Sequence, residues 1–146
     1  MDNKIVLYVE DDATDIFFCR ETIKKIAPEL DLRFVHDGEV AKEWLSGEGT
    51  YANRSAFPMP GMVVTDLETL NVTGLQLLGW IRDQPHLKGL PVIVHATSSY
   101  VGDIGRCKQL GATKYLVKTP RCVPLVEFLR DYFGDAKPAK PAVVEA

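Results

Sequence analysis

VVTDLETLNVTG, residues 63–74, carries an apolar run into a single carboxylate, Asp66. The unbroken Met62–Val64 run followed by Thr65 and Asp66 reads as a buried strand, and Asn71 and Gly74 mark the turn after it. Open α/β sheets collect their ligands at the carboxyl ends of strands. An acid at that rim takes its meaning from whatever else reaches the same edge.

Working outward, residues 4–9 form a second apolar run without alternation, as expected of a parallel strand covered on both faces, and it ends in Glu10, Asp11 and Asp12. Ile16, Cys19, Ile23 and Ile26 then recur at steps of three and four, which predicts an amphipathic helix from about Thr14 to before Pro28. Leu32–His36 reads as a strand with Asp37-Gly38 as its turn, and Val40, Ala41, Trp44 and Leu45 as a helix ending by Gly47. Residues 46–60 show no period and are rich in Gly, Ser, Asn and Pro. They are a loop, read either as disordered or as making a local contact.

Beyond Asp66, a helix from about Thr73 to Asp83 buries Leu75, Leu78 and Ile81, and Pro91 opens the strand VIVHA. Val101, Ile104, Cys107 or Lys108, and Leu110 suggest a helix over 100–110, short or mobile because Gly102 and Gly105 each cost about 1 kcal/mol relative to alanine. KYLVK, 114–118, is a fifth strand. The last helix buries Cys122, Val126, Leu129 and Phe133. Its second stripe, Leu125, Phe128 and Tyr132, is either a broad core face or a face for a partner, a homodimer through this helix included. Residues 135–146 carry two prolines and small residues and are expected to be a disordered tail. Five strands alternating with five helices give an α/β fold with a five-stranded parallel, doubly wound sheet over residues 1–134.

The bulk numbers agree with a single domain. The 146 residues are 46% apolar and 25% charged, with a net charge of −3, so neither nucleic acid nor an anionic membrane is an expected partner. No apolar run approaches the roughly 20 residues needed to span a bilayer, and a cytoplasmic protein is expected. Cys19, Cys107 and Cys122 are an odd set without CxxC spacing, suggesting neither a disulfide framework nor a zinc site. His36, His86 and His95 lack ligand spacing and read as core or loop residues.

Three predicted strands therefore end in ionisable groups: Glu10 and Asp11, Asp66, and Lys118. Parallel strands bring all of these to one edge. Crowded carboxylates raise one another's pKa unless a cation joins them, and Mg²⁺ suits oxygen donors of this kind. A carboxylate beside Mg²⁺ and a lysine is equipped to attack phosphorus and form an aspartyl phosphate.

With these residues in view, the chain resembles a receiver domain of two-component response regulators over residues 4–134. The matching pieces are IVLYVEDD, the Asp66 strand with Gly74, PVIVHATS, and KYLVK after LGA. Ala96 and Lys118 follow Asp66 at intervals of 30 and 52 residues, as in the family. The resemblance implies a flavodoxin-like fold, Mg²⁺ and a sensor histidine kinase as partner. It implies Asp66 as phosphoacceptor and Asp11 as direct metal ligand, with Glu10 acting through water and Glu68 through its backbone carbonyl. Lys118 would contact the phosphoryl group and Tyr115 would be the aromatic switch residue. The TSS-like strand end, the extra loop and the lack of an output domain resemble the stand-alone regulators that accompany phytochrome-type kinases.

The chain also departs from that pattern. Ala96 stands where the family usually has a Thr or Ser hydroxyl, and the adjacent Thr97 points to the opposite side unless a bulge intervenes. Leu70 replaces a usual proline, which is expected to loosen the loop over the site, and Thr119 replaces another, which removes the usual reason for a cis peptide after Lys118. Glu68 adds a negative side chain nearby. Ala96 and Glu68 leave open a constitutive interaction module without a switch. DLETL also has a superficial likeness to the DxDxT motif of aspartate-nucleophile phosphatases, although an early nucleophile strand and a cap are not apparent.

Overall fold

The structure is a computed structural model and describes residues 3–134. The predicted tail at 135–146 lies outside the described residues. Strands β1 (Ile5–Val9), β2 (Asp31–Val35), β3 (Met62–Thr65), β4 (Val92–Ala96) and β5 (Lys114–Val117) alternate with helices α1 (Ala13–Ile26), α2 (Gly38–Ser46), α3 (Gly74–Asp83), α4 (Val101–Gln109) and α5 (Val123–Tyr132). The strands form one parallel sheet in the order β2-β1-β3-β4-β5. Strand order reverses between β1 and β3, the switch point where loops splay apart and open a crevice.

Side-chain alternation divides the sheet into two faces. Leu7, Val9, Val63, Val92, Val94 and Ala96 pack in one core with residues of α2 and α3 and with Cys107 of α4. Val6, Tyr8, Met62, Val64 and Ile93 pack in the other with residues of α1 and α5. The four residues of β3 are completely buried, as its apolar run predicts.

Local signals account for the helix starts. Asp12 accepts a hydrogen bond from the Asp15 amide at 3.0 Å and Asp37 one from Val40 at 2.8 Å, each capping a helix. Thr73 and Gln76 form a reciprocal capping box at α3. Burial departs from expectation mainly in α4, where Cys107 is buried but Val101 is 80% exposed. In α5, Leu125 is buried, Phe128 packs partly against the core and Tyr132 is exposed. Most of the second stripe is therefore core.

Residues 46–60 make the local contact rather than hanging free. Gly49–Ala52 form a 3-10 turn, and Tyr51 and Phe57 pack on Trp44, with ring centroids 5.5 and 5.2 Å from it. Arg54 donates to the carbonyls of Trp44 at 2.7 Å, Leu45 at 3.2 Å and Phe57 at 3.1 Å. A guanidinium on the carbonyls at the end of α2 also complements the helix dipole. Arg54→Ala is expected to cost about 1–2 kcal/mol, read as a lower urea midpoint with an unchanged slope.

The cysteine expectation is corrected. Cys19 on α1 and Cys122 at the start of α5 are joined as a disulfide, with Cα atoms 5.3 Å apart. A pairing across 103 residues is set by helix packing, which residue spacing does not display. Cys107 is free and buried.

Candidate functional site

β1 and β3 are hydrogen-bonded neighbours, so the residues after them, Glu10 and Asp66, emerge side by side. Lys118 follows β5, two strands from β3, and its amide continues the ladder by donating to the Ala96 carbonyl at 2.7 Å. Its side chain crosses the end of β4. The Nζ donates to Asp66 Oδ2 at 2.8 Å, Glu10 Oε1 at 2.8 Å and Asp15 Oδ2 at 2.7 Å. Lys118 thus joins the first, third and fifth strand ends, and it adds a residue that the sequence reading missed.

Asp15 lies in the first turn of α1. It was readable only as an acid at a helix start, because its reach to Lys118 depends on how α1 packs across the rim. Asp11, by contrast, is exposed and outside the lysine's three partners. Glu68 is also exposed, and its amide approaches Asp66 Oδ1 at 3.4 Å. Leu67 donates to the same oxygen at 2.6 Å. Asp66 is therefore oriented through both carboxylate oxygens while its side chain keeps 16% of its exposure.

Charge and burial oppose one another here. Glu10 is 1% exposed, and burial raises its pKa although Lys118 and the Asp12 amide pull it down. Burial would lower the Lys118 pKa, but hydrogen bonds to Asp15, Asp66 and Glu10 outweigh it and the ammonium is held above its usual range. The lysine remains charged at neutral pH. Beneath it, His95 is buried and its pKa is lowered to about 4, by burial first and by Lys118 second.

Ala96 is buried in the core face with Val94 and Cys107, whereas Thr97 is exposed beyond the strand end. Tyr115 is half-buried and donates from its hydroxyl to the Ser98 carbonyl at 2.7 Å. Ser98 in turn donates to Asp103 Oδ2 at 2.7 Å. The switch candidate is thus fastened to the loop after β4 by a backbone carbonyl, independently of any hydroxyl at 96.

The loop after Asp66 is less free than Leu70 in place of proline suggests. Leu70 carbonyl accepts from the Gly38 amide at 3.4 Å, and Asn71 donates to Asp37 at 2.9 Å. The Leu70 side chain itself is 58% exposed. Anchorage to Asp37 and Gly38 replaces stiffness from a ring.

Among the described residues no three acidic, histidine or cysteine side chains are gathered as a ready metal cluster. Lys118 supplies the positive charge between Glu10 and Asp66 instead. Mg²⁺ commonly uses only one or two carboxylates and completes its shell with water. The hard oxygen donors at this rim fit that requirement.

A model of the response regulator receiver domain matches residues 6–130, and the chain belongs to this family of two-component signalling proteins. It is 31% identical to response regulator Rcp1 of Synechocystis sp. over 80% of this chain and 77% of that protein. It is 33% identical to the polar-differentiation response regulator DivK of Brucella ovis over 53% of this chain and 63% of that protein. Among solved structures, the Mn²⁺-bound form of Rcp1 superposes with a TM-score of 0.78 at 27% identity, covering 92% of this chain and 97% of that one. The phosphorylated cyanobacterial phytochrome response regulator RcpA gives 0.79 at 28% identity, covering 96% and 99%. Family and fold are thereby established together. No helix of the described residues is long and apolar enough to cross a membrane.

Proposed function

We propose that Asp66 accepts a phosphoryl group from a phosphorylated histidine of a sensor kinase. The observation that carries this reading is a partly open carboxylate oriented by the Leu67 amide and by Lys118, beside a second acid, Glu10, that the same lysine holds. An Asp66 oxygen attacks phosphorus, the P–N bond breaks, and the imidazole leaves with a proton. Lys118 then faces the charge that develops on the phosphoryl oxygens.

Asp11 and Asp66 would hold Mg²⁺ directly, with the Glu68 carbonyl beside them and Glu10 through water. The ion would neutralise phosphoryl charge when bound. Similarity to RcpA, a phytochrome response regulator, supports a phytochrome-type kinase as the donor. Because Ala96 has no hydroxyl for a phosphoryl oxygen, the coupling from Asp66 to Tyr115 is weak in this reading.

Incubation with acetyl phosphate and Mg²⁺, followed by intact-mass measurement, tests the proposal. One phosphoryl group is expected on the native chain and none on Asp66→Asn. An adduct that survives this substitution would reject Asp66 as the acceptor.

A further inference from the structure

The disulfide shares a small cavity with Asp15 and Lys118. Cys19 and Cys122 are 1% and 3% exposed. On α1, Cys19 stands one turn after Asp15, which holds Lys118 at 2.7 Å. On the other side, Cys122 is four residues after Lys118, in a short turn closed by its amide on the Thr119 carbonyl at 3.2 Å. Its φ of 66° is unusual for a residue with a side chain. Each sulfur is therefore tethered through a few backbone bonds to one end of the Asp15–Lys118 pair.

A small cavity is lined by both cysteines together with Asp15, Lys118 and His95. The His95 Nδ1 is paired with the Tyr8 hydroxyl. Burial raises the pKa of that hydroxyl, so Tyr8 keeps its proton and donates it, which leaves the neutral ring's proton on Nε2. Nε2 has no partner among the described residues. The ring carrying this unpartnered nitrogen lines the same cavity as both cysteines.

We propose that Cys19 and Cys122 form a reversible thiol–disulfide site whose state sets how Asp15 holds Lys118, and through it how readily Asp66 is phosphorylated. The last step rests on the reading of Asp66 given above. A hydroperoxide is the matching oxidant. One thiolate attacks its terminal oxygen, the O–O bond breaks to give a sulfenic acid and an alcohol, and the second thiol displaces water from that sulfur. Two thiols and one hydroperoxide yield one disulfide, one alcohol and one water. A dithiol reverses the bond by exchange. In the bonded state Lys118 reaches Asp66 at 2.8 Å, so oxidation preorganises the site and reduction loosens it.

The test equilibrates the full chain with peroxide or with a dithiol, counts thiols by alkylation in denaturant, and follows the Lys118 side-chain NMR signal and the uptake of phosphoryl from acetyl phosphate. Two thiols are expected to appear and disappear while the circular dichroism of the fold persists. The Lys118 signal should shift between states, and uptake should slow about threefold on reduction. Cys19→Ser and Cys122→Ser should match the reduced protein under both conditions. A Lys118 signal identical in the two states, or a bond that opens only when the fold is lost, would overturn the proposal. That signal decides the matter whether or not an adduct forms, whereas failure of both states to take phosphoryl counts against the Asp66 reading.

Discussion

Gly74→Ala is expected to destabilise the protein by about 3 kcal/mol, at the upper end for overpacking a tight contact, and, with Asp66 as the proposed acceptor, to slow its phosphorylation. A β-carbon at Gly74 would lie 2.1 Å from the Asp66 carbonyl oxygen and 3.0 Å from the Leu67 α-carbon. Both are backbone atoms, so no side chain can swing aside. Relief requires either α3 to back away from β3 or the Asp66–Leu67 peptide to move. The first disturbs the packing of Leu77, Leu78 and Ile81, all completely buried. The second displaces the Leu67 amide that orients the Asp66 carboxylate at 2.6 Å.

Gly79 in the same helix is the internal control. Nothing lies within 4 Å of a β-carbon built there, so Gly79→Ala should stabilise α3 by about 0.5–1 kcal/mol. Urea unfolding of the two variants should therefore move the midpoint in opposite directions. A Gly74→Ala protein as stable as the native chain would show that the approach of α3 to β3 is not a constraint.

The positions of Glu10, Asp66 and Lys118 were legible because an unbroken apolar strand has one direction, and parallel strands share their carboxyl edge. Knowing only the strands, one can place their last residues together. Asp15 was not legible in the same way, since its reach to Lys118 runs from a helix packed across the sheet. Cys19 and Cys122 illustrate the same limit: α1 and the start of α5 lie on one face, but nothing across a sequence separation of 103 announces their contact. The Trp44–Tyr51–Phe57 cluster was hidden because aromatic packing in a loop has no period. Periodicity reports only elements that repeat their environment.

Lys118→Met is expected to cost about 3 kcal/mol near neutral pH, with a pH dependence that identifies the cause. Removing the ammonium leaves Glu10 buried without its cation, and breaking such a pair is costly because one charge stays behind. Protonation sets a ceiling on that cost. Taking a carboxyl with an ordinary value of 4.5 to its neutral form at about pH 7.5 costs about 4 kcal/mol, at 1.36 kcal/mol per unit. Asp66 and Asp15 are partly open, with 16% and 36% side-chain exposure, so water replaces the lysine there more readily. The variant's folded state should then bind Glu10's proton more tightly than its unfolded state does. Its stability consequently rises as pH falls from the raised folded value toward the ordinary one. The native protein shows less of this effect, because Lys118 favours the ionised carboxylate. The stability gap between the two should shrink by about 2 kcal/mol between roughly pH 7.5 and 5.5, and Glu10→Gln in the Lys118→Met background should abolish that change. If urea unfolding gave the same gap at both pH values, the burial of Glu10 would not be what makes the lysine necessary. Lys118 would then act at the rim only through Asp66 and Asp15, and its loss would impair phosphorylation far more than folding.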